Sequence, residues 1–270
     1  MKKNLIYLTI LILIFLIFKN YSLVLDSSIK AVELWLYKVF PYLFIMIVIN
    51  DTLINLDFER LFKNNSIYAL VASLLSGSPT SAVIISNLYK QGKMTKDTAN
   101  KTLLFTYFAN PLFLYTMLNA IFNSQFIAIK LMLIHYLSNI IIYLIYRRGL
   151  TSKNINYNKT KLDISSSIKK AMNTPTMVLG CITFYLVISD ILHLSIFLRG
   201  ILEMTQGLNS LIGESLQYKE LLAIGFISFG GFSIHTQVKC ILDETDLEYK
   251  YFFKGRIMQT LIALLITACT

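Results

Sequence analysis

The sequence predicts an all-α polytopic membrane protein with about six transmembrane helices and two re-entrant helical hairpins, arranged as an inverted repeat. Hydrophobic residues make up 55% of the chain and charged residues only 15%, a composition typical of membrane proteins. Two apolar runs of spanning length are interrupted by glycine, proline and hydrogen-bonding side chains. In hydrocarbon such a break is stable only where protein or a water-filled cavity surrounds it, which indicates a protein that handles a solute.

Six uninterrupted runs are predicted to cross the membrane, because each holds about the 20 residues that a hydrocarbon core of about 30 Å requires. They are residues 5–25, 39–56, 102–122, 125–146, 175–198 and 251–270. The first run follows Lys2 and Lys3, and no small-residue cleavage site comes after it. We therefore expect an uncleaved anchor helix at the N-terminus.

Two further apolar runs, 67–89 and 221–242, are long enough to cross but are broken at the centre. The first contains SGSPTS at residues 76–81, where Gly77 permits a tight turn and Pro79 removes an amide donor. The second contains FGGFSIHTQ at residues 229–237. Each run is predicted to form a re-entrant hairpin of two half-length helices.

The distribution of charge predicts the orientation. The chain has 25 Lys and Arg against 15 Asp and Glu, and the basic surplus lies in loops at residues 2–3, 60–63, 90–101 and 147–170. Placing these clusters in the cytoplasm puts the N-terminus inside and makes 67–89 begin and end inside. On the same count 221–242 begins and ends outside, next to the acidic stretch 243–248, where Lys254 and Arg256 fit poorly.

The order of segments predicts an inverted repeat. Residues 1–122 contain a span, an amphipathic stretch at 26–38, a span, the hairpin 67–89 and a span. Residues 123–270 contain the same order from the opposite side of the membrane, with an amphipathic stretch at 162–172 and the hairpin 221–242. Inverted repeats are typical of secondary transporters, whose binding site lies near the midplane between the halves.

Four polar interruptions contain the candidate binding residues. They lie at residues 76–81, 110–111, 203–207 and 230–237. A half-helix that begins inside the membrane directs unpaired N–H groups and its positive dipole end ahead of it, which suits an anionic or strongly hydrogen-bonding solute. The predicted breaks are Gly77, Pro79, Pro111, Gly230 and Gly231. The predicted solute-binding side chains are Ser78, Thr80, Ser81, Asn110, Glu203, Thr205, Gln206, Ser233, His235, Thr236 and Gln237.

Structural explanations compete with each of these assignments. An Asn-Pro pair can be a simple kink, and Ser and Gly in membrane helices often serve close packing. We expect His135 and His193 to have packing or interfacial roles, and Asp51 and Asp190 to reach water or headgroups near span ends. The sequence contains no paired carboxylates, metal-binding cluster, phosphate loop or nucleophile elbow, so we expect no enzyme activity, cofactor or metal.

The same residues carry a family resemblance. Residues 200–208 (GILEMTQGL) and 226–238 (FISFGGFSIHTQV) resemble the "LLE-x-T-x-G … FGG-x-S-x-H-x-Q" signature of the YlbJ-type sporulation integral membrane proteins, also called stage V sporulation protein V. In the first half, residues 77–82 (GSPTSA) and 108–113 (FANPLF) are similar to the family's hairpin and Asn-Pro motifs. The first-hairpin motif departs from the family pattern at Ser78, which replaces an aromatic residue, and at Thr80-Ser81.

This resemblance implies a gate-domain (nucleoside recognition) protein similar in architecture to the concentrative nucleoside transporters. It also implies transport of dipicolinic acid across the outer forespore membrane of a sporulating bacterium. The sequence therefore leads to an alternating-access transporter of a small organic anion, with the bilayer and the solute as partners and no nucleic acid. Alternatives left open are a nucleoside or other organic-solute transporter, a non-transporting spore-envelope scaffold and a channel, and homo-oligomerisation is also left open.

Overall fold

The computed structural model describes residues 2–62, 64–150 and 164–270, and within these ranges it contains helices and no β-strand. The predicted all-α class is confirmed. The helices of the first half are α1 (Lys2–Lys19), α2 (Tyr21–Leu34), α3 (Phe40–Asn55), α4 (Asn65–Ser76), α5 (Thr80–Lys90), α6 (Lys96–Thr102) and α7 (Pro111–Phe122). Those of the second half are α8 (Gln125–Tyr146), α9 (Ile164–Ile191), α10 (Ile196–Leu202), α11 (Met204–Ser210), α12 (Lys219–Phe229), α13 (Gly231–Leu242) and α14 (Tyr249–Ala268).

Within the described residues, four helical segments are long and apolar enough to cross a membrane: Tyr21–Asn55, Gln125–Tyr146, Ile164–Ile191 and Lys219–Leu242. The predicted span 125–146 coincides with α8, and the predicted spans 39–56 and 251–270 correspond to α3 and α14. The predicted span 5–25 is divided at Asn20 between α1 and α2. The predicted span 175–198 is shifted, because α9 begins at Ile164 and ends at Ile191.

The longest helical contact joins α2 and α3 to α9 in antiparallel fashion. Trp35–Val39 forms a π-helical turn that connects α2 to α3 without a break, so the helical run extends over Tyr21–Asn55. Ser27 Oγ donates to Asp190 at 2.7 Å at one end of this pair, and Ser167 Oγ donates to Asp51 at 2.6 Å at the other. The predicted separate amphipathic stretch 26–38 is therefore wrong, because it continues helically into α3; the described part of 162–172 likewise belongs to α9.

Two pairs of short helices form closed hairpins. In the first hairpin, α4 and α5 pack against each other on either side of Gly77–Pro79, where the sequence predicts the break in 67–89. In the second hairpin, α10 and α11 pack against each other on either side of Glu203, with Gly200 and Gly207 in direct contact. Glu203, Thr205 and Gln206 are predicted from the sequence as solute-binding side chains, but the sequence does not indicate that they lie at the tip of a hairpin.

The two ends of the molecule are marked by ion pairs. At one end, which we call the basic end, Lys90 pairs with Glu244 at 2.6 Å and Lys96 with Asp246 at 3.0 Å. Hydrogen bonds from Tyr89 and Lys96 lower the pKa of the Asp246 carboxyl.

At the other end, Lys130 pairs with Glu220 at 2.5 Å, and Lys219 donates to the Ile121 carbonyl at 2.9 Å. Lys130 lies near the N-terminal end of α8. Tyr146, the last residue of α8, contacts Lys254 at the basic end. The rise of an α-helix separates these two α8 positions by about 24 Å.

Segment 221–242 therefore connects the two ends and is not a closed hairpin. It is broken at Gly230 as predicted, but α12 packs chiefly against α14 and α13 chiefly against α9. The prediction that both its ends lie on one side, opposite the cluster at 90–101, is wrong, because 243–248 is bonded to that cluster. The correction also places Lys254 at the basic end, where the charge rule favours it.

The predicted span 102–122 is not one helix. It contains α6, a non-helical stretch at 103–110 and α7, which begins at Pro111. Phe105, Tyr107 and Phe108 in this stretch are fully buried. Proline at the first helical position explains where α7 begins, because its missing amide is one that a helix start leaves unpaired anyway.

Side chains of α8 and α14 bond the exposed backbone of this unwound stretch. His135 Nε2 accepts from the Ala109 amide at 3.1 Å, and Asn139 Nδ2 donates to the Tyr107 carbonyl. Arg256 donates to the Leu104 carbonyl at 3.2 Å. Since unbonded backbone groups are costly in an apolar interior, these three side chains make the unwound conformation possible.

We predict that Lys90→Cys and Glu244→Cys, combined in a variant whose native cysteines are replaced by serine, are joined by a short bis-maleimide. Their ion pair places the two positions side by side at the basic end. Lys90→Cys with Glu220→Cys is the matched control and should not crosslink. Crosslinking of the control pair alone would contradict the arrangement of α12 and α13.

We also predict that Asn139→Leu lowers the free energy of unfolding by about 1–3 kcal/mol, because it leaves the Tyr107 carbonyl without a donor. Reversible unfolding in mixed detergent micelles measures this change. Asn119→Leu is the control, since Asn119 is half-buried on α7 and its side chain forms no hydrogen bond within the described residues. Equal effects of the two substitutions would show that Asn139 does not support the unwound backbone.

Candidate functional site

A cavity of about 80 Å³ lies where the broken segments approach the α2–α3 and α9 pair. This volume holds several water molecules but is smaller than the 300–1,000 Å³ typical of ligand pockets. Its walls come from α2–α3, α9, both hairpins and both broken segments. The lining residues are Lys38, Val39, Tyr42, Leu43, Ser76, Ser78, Pro79, Tyr107, Ala109, Asn110, Phe113, Val178, Ile182, Glu203, Met204, Thr205, Ile234 and Gln237.

The tip of the first hairpin lies against the break between α6 and α7. Gly77 has φ +78°, and a Cβ there would approach the Asn110 amide nitrogen to 2.9 Å. Asn110 caps α7, because its Oδ1 accepts from Leu112 and Phe113 amides at 3.0 and 3.2 Å. Glycine at 77 therefore allows a backbone-to-backbone contact that no other residue permits.

The tip of the second hairpin lies against the break between α12 and α13. Gly231 has φ +68°, and a Cβ there would lie 2.9 Å from the Met204 nitrogen. Glu203 Oε2 accepts from the Gln206 amide at 2.7 Å and so caps α11. At Gly230, a Cβ would lie 2.7 Å from Tyr107 Oη, so the two broken segments also touch each other. All four interruptions thus meet at the cavity.

Five of the predicted binding residues line the cavity: Ser78, Asn110, Glu203, Thr205 and Gln237. Ser78 Oγ is buried and has no hydrogen-bond partner within the described residues. Buried hydroxyl groups are normally bonded to protein or water, so this atom offers a free contact to a molecule in the cavity.

The other predicted side chains lie around the cavity rather than in its wall. Thr80, Ser81 and Ser233 are buried beside the breaks, and Ser233 Oγ accepts from Gln237 at 3.2 Å. Thr236 shares a hydrogen bond of 2.7 Å with Tyr185 on α9. Gln206 donates to Asp190 at 2.8 Å and lines a neighbouring cavity.

His235 has protein partners on both ring nitrogens. Nε2 lies 3.1 Å from the Phe229 carbonyl, and Nδ1 lies 2.7 Å from Tyr249 Oη. Because the carbonyl only accepts, Nε2 carries the proton, and the neutral ring accepts from Tyr249 at Nδ1. The imidazole therefore bonds the last carbonyl of α12 at the break and joins it to α14.

Sequence reasoning missed several residues of the site. Lys38 and Tyr42 line the cavity, although the sequence predicts that residue 38 ends a separate amphipathic stretch. Tyr107 is three residues before the Asn110-Pro111 motif in the sequence, and this closeness is the one sequence feature that could indicate a place in the site. His135 and Asp51 were assigned to packing and to a span end, but both are buried and hydrogen-bonded.

Two carboxylates hold the hairpins to the long helical pair in matching ways. Asp51 on α3 accepts from Asn87 of the first hairpin at 3.2 Å and from Ser167 of α9 at 2.6 Å. Asp190 on α9 accepts from Gln206 of the second hairpin at 2.8 Å and from Ser27 of α2 at 2.7 Å. Each hairpin is thus fastened at the end of the molecule from which it enters.

Larger cavities lie beside these two carboxylates. One of about 540 Å³, which we call the outer vestibule, is lined by α2, α9 and the second hairpin and shares Lys38 with the central cavity. The other, of about 320 Å³, includes Asp51, Asn87, Lys90 and Glu244 at the basic end. The outer vestibule adjoins the central cavity at Lys38, whereas the cavity at the basic end shares no lining residue with it.

Comparison with known proteins gives one informative match. The chain is 24% identical to the sporulation integral membrane protein YlbJ of Bacillus subtilis (strain 168), in an alignment that covers 88% of this chain and 75% of that protein. This similarity over most of the chain supports the YlbJ family. It is an integral membrane protein, in agreement with its four apolar spanning segments. No family model and no solved structure matches this YlbJ relative.

We predict that Gly231→Ala destabilises this YlbJ relative by about 1–3 kcal/mol more than Gly213→Ala. Both glycines have positive φ, at +68° and +80°, but only Gly231 abuts backbone atoms of the second hairpin. The difference between the two variants thus isolates the close contact from the conformational cost. Thermal unfolding in detergent measures it, and equal effects would contradict the contact.

Proposed function

We propose that this chain is a sporulation-associated membrane transporter of a small organic anion, with dipicolinic acid as the leading candidate, and that it works by alternating access. One observation carries the proposal. The tips of two hairpins that enter from opposite ends of the molecule meet two broken segments at a partly polar cavity. Broken helices around a midplane cavity are the arrangement by which membrane transporters expose backbone and side-chain dipoles to a solute.

An inverted repeat, with boundaries at 1–122 and 123–270, accounts for this arrangement. In the revised register α4/α5 corresponds to α10/α11, and the broken segment α6–α7 corresponds to α12–α13. The matching bonds of Asp51 and Asp190 support this register, because each carboxylate links its own hairpin to the start of the opposite long helix. On this reading α14 is an addition to the second half.

The basic end is proposed to face the cytoplasm. It contains lysines at 90, 96, 101, 250 and 254, and cytoplasmic loops carry such a surplus. An anchor helix α1 that crosses before α2 then places the N-terminus in the cytoplasm as well. The family suggests the outer forespore membrane as the location.

The size of the central cavity supports a gated mechanism rather than a permanent pore. At about 80 Å³ it is smaller than the pockets that usually hold a solute of the size of dipicolinate, so the proposed mechanism includes movement of one hairpin before binding. Release of the Asp190 or Asp51 bonds would free the hairpin at the corresponding end. Movement of one hairpin at a time exposes the cavity to one side only, as alternating access requires.

A nucleoside or other uncharged organic solute is the second candidate. The amide groups of Asn110 and Gln237 line the cavity and can bond such a molecule without any charge on it. A spore-envelope scaffold would need neither the cavity nor the unpaired Ser78 hydroxyl.

We predict that purified protein in liposomes takes up dipicolinate with saturation, and that Gln237→Leu lowers the apparent affinity by about 3–10-fold through loss of one hydrogen bond. Gln217→Leu is the matched control, because Gln217 is exposed in a loop at the end opposite the basic end, and its uptake should equal that of the parent. Uptake of uridine in preference to dipicolinate would favour the second candidate. Absence of saturable uptake of either solute would refute both named substrates.

A further inference from the structure

Lys38 lies near the middle of a membrane-crossing helical run. Ser27 and Asp51 mark the two ends of the contact between α2–α3 and α9, and Lys38 is 11 residues from the first and 13 from the second. The helical rise places it about 17–20 Å from either end. A lysine at this depth is costly unless it faces a water-filled cavity or a charged partner.

The structure provides the cavity and no protein partner. Lys38 lines both the central cavity and the outer vestibule. Within the described residues its ammonium group forms no ion pair or hydrogen bond. An unpaired cation at the junction of these two cavities is available to a soluble anion.

A comparison of the two long helices shows how the chain places this lysine. The bonds Ser27–Asp190 and Ser167–Asp51 join the two long helices at both ends of their contact. Between these bonds the first helical run advances 24 positions, from Ser27 to Asp51, but α9 advances only 23, from Ser167 to Asp190. The π-helical turn Trp35–Val39 in the first helical run accommodates the extra residue, and single π-helical turns of this kind are frequent at functional sites. Lys38 lies within that turn.

The corresponding wall on α9 is apolar. Val178 and Ile182 line the cavity from α9, opposite the side that carries Lys38 and Tyr42. The two halves therefore agree in backbone arrangement and differ in chemistry, so the charge is not a requirement of the fold.

We propose that Lys38 is the carboxylate-binding cation of the pathway, which receives an organic anion from the outer vestibule and holds it at the central cavity. Ser78 Oγ and the Asn110 amide lie in the same cavity and supply further hydrogen bonds to the anion. The other charged residue of the cavity wall, Glu203, has Oε2 bonded to the Gln206 amide. The identity of the anion as dipicolinate rests on the proposed function; the position of the anion site does not.

The first test asks whether position 38 is in water. In a variant without native cysteines, Lys38→Cys in liposomes should react with a membrane-impermeant cationic thiosulfonate at least tenfold faster than Ile45→Cys. Ile45 is a matched control because it is exposed on α3 and lines none of the cavities described. Equal rates, or a slower rate at position 38, would overturn the proposal whatever the solute is.

The second test measures binding of dipicolinate and of its uncharged analogue pyridine-2,6-dicarboxamide. Lys38→Met should weaken dipicolinate binding by about 10–100-fold and change diamide binding by less than about twofold, since only the carboxylate gains a charge-assisted bond. Lys38→Arg should retain most of the affinity. Lys239→Met is the neutralisation control, because Lys239 is exposed on α13 away from the cavities, and its binding should be unchanged.

The outcomes separate this proposal from the proposed function. Binding of benzoate, glutarate or inorganic phosphate in place of dipicolinate, with the same dependence on Lys38, would support the site and refute the substrate. Unchanged dipicolinate affinity in Lys38→Met, or failure of the parent to bind any of these anions, would overturn the site. Loss of dipicolinate binding in nanodiscs of phosphatidylglycerol but not of phosphatidylcholine would show that Lys38 binds lipid headgroups, and would overturn it too.

Discussion

The arrangement depends on the hydrogen bonds that α8 and α14 give to the unwound stretch 103–110. A polar backbone stripped of its helix is unstable in an apolar interior unless each exposed group finds a partner. His135, Asn139 and Arg256 provide partners for three of these groups from two separate helices. With the stretch held open, Tyr107 reaches Gly230 and Asn110 reaches Gly77, and these contacts bring the hairpin tips to the cavity.

The breaks themselves could be predicted from the sequence. Gly77, Pro79, Pro111 and Gly230 have local effects on the backbone that do not depend on distant contacts. The partners of the half-helices could not be predicted in this way. Segment 221–242 has the composition of a hairpin, and only the ion pairs of the flanking residues Glu220 and Glu244 show that it runs from one end of the molecule to the other. The hairpin formed by α10 and α11 could not be predicted, because each helix has only seven residues and so does not give the long apolar run that predicts a membrane span.

The candidate site was predicted in part for the same reason. Polar residues at the breaks, such as Asn110 and Gln237, are recognisable because they interrupt apolar runs. Lys38 ends the predicted amphipathic stretch 26–38, but the π-helical turn continues the helix into α3 and Lys38 lies in the middle of the run Tyr21–Asn55. Tyr42 lies in the predicted span 39–56, where nothing in the sequence marks it as a cavity residue. His235 is predicted from the sequence to bind the solute, but its two ring nitrogens bond the Phe229 carbonyl and Tyr249 instead.

The most direct test of alternating access is the sidedness of labelling at Thr205, which lines the central cavity on the second hairpin. A single Thr205→Cys in an otherwise cysteine-free protein, reconstituted with one orientation, would be treated with an impermeant thiol reagent from either face of the membrane. Alternating access predicts modification from both faces, with no leak of the reagent across the membrane. Modification from one face alone, or from neither, would contradict it.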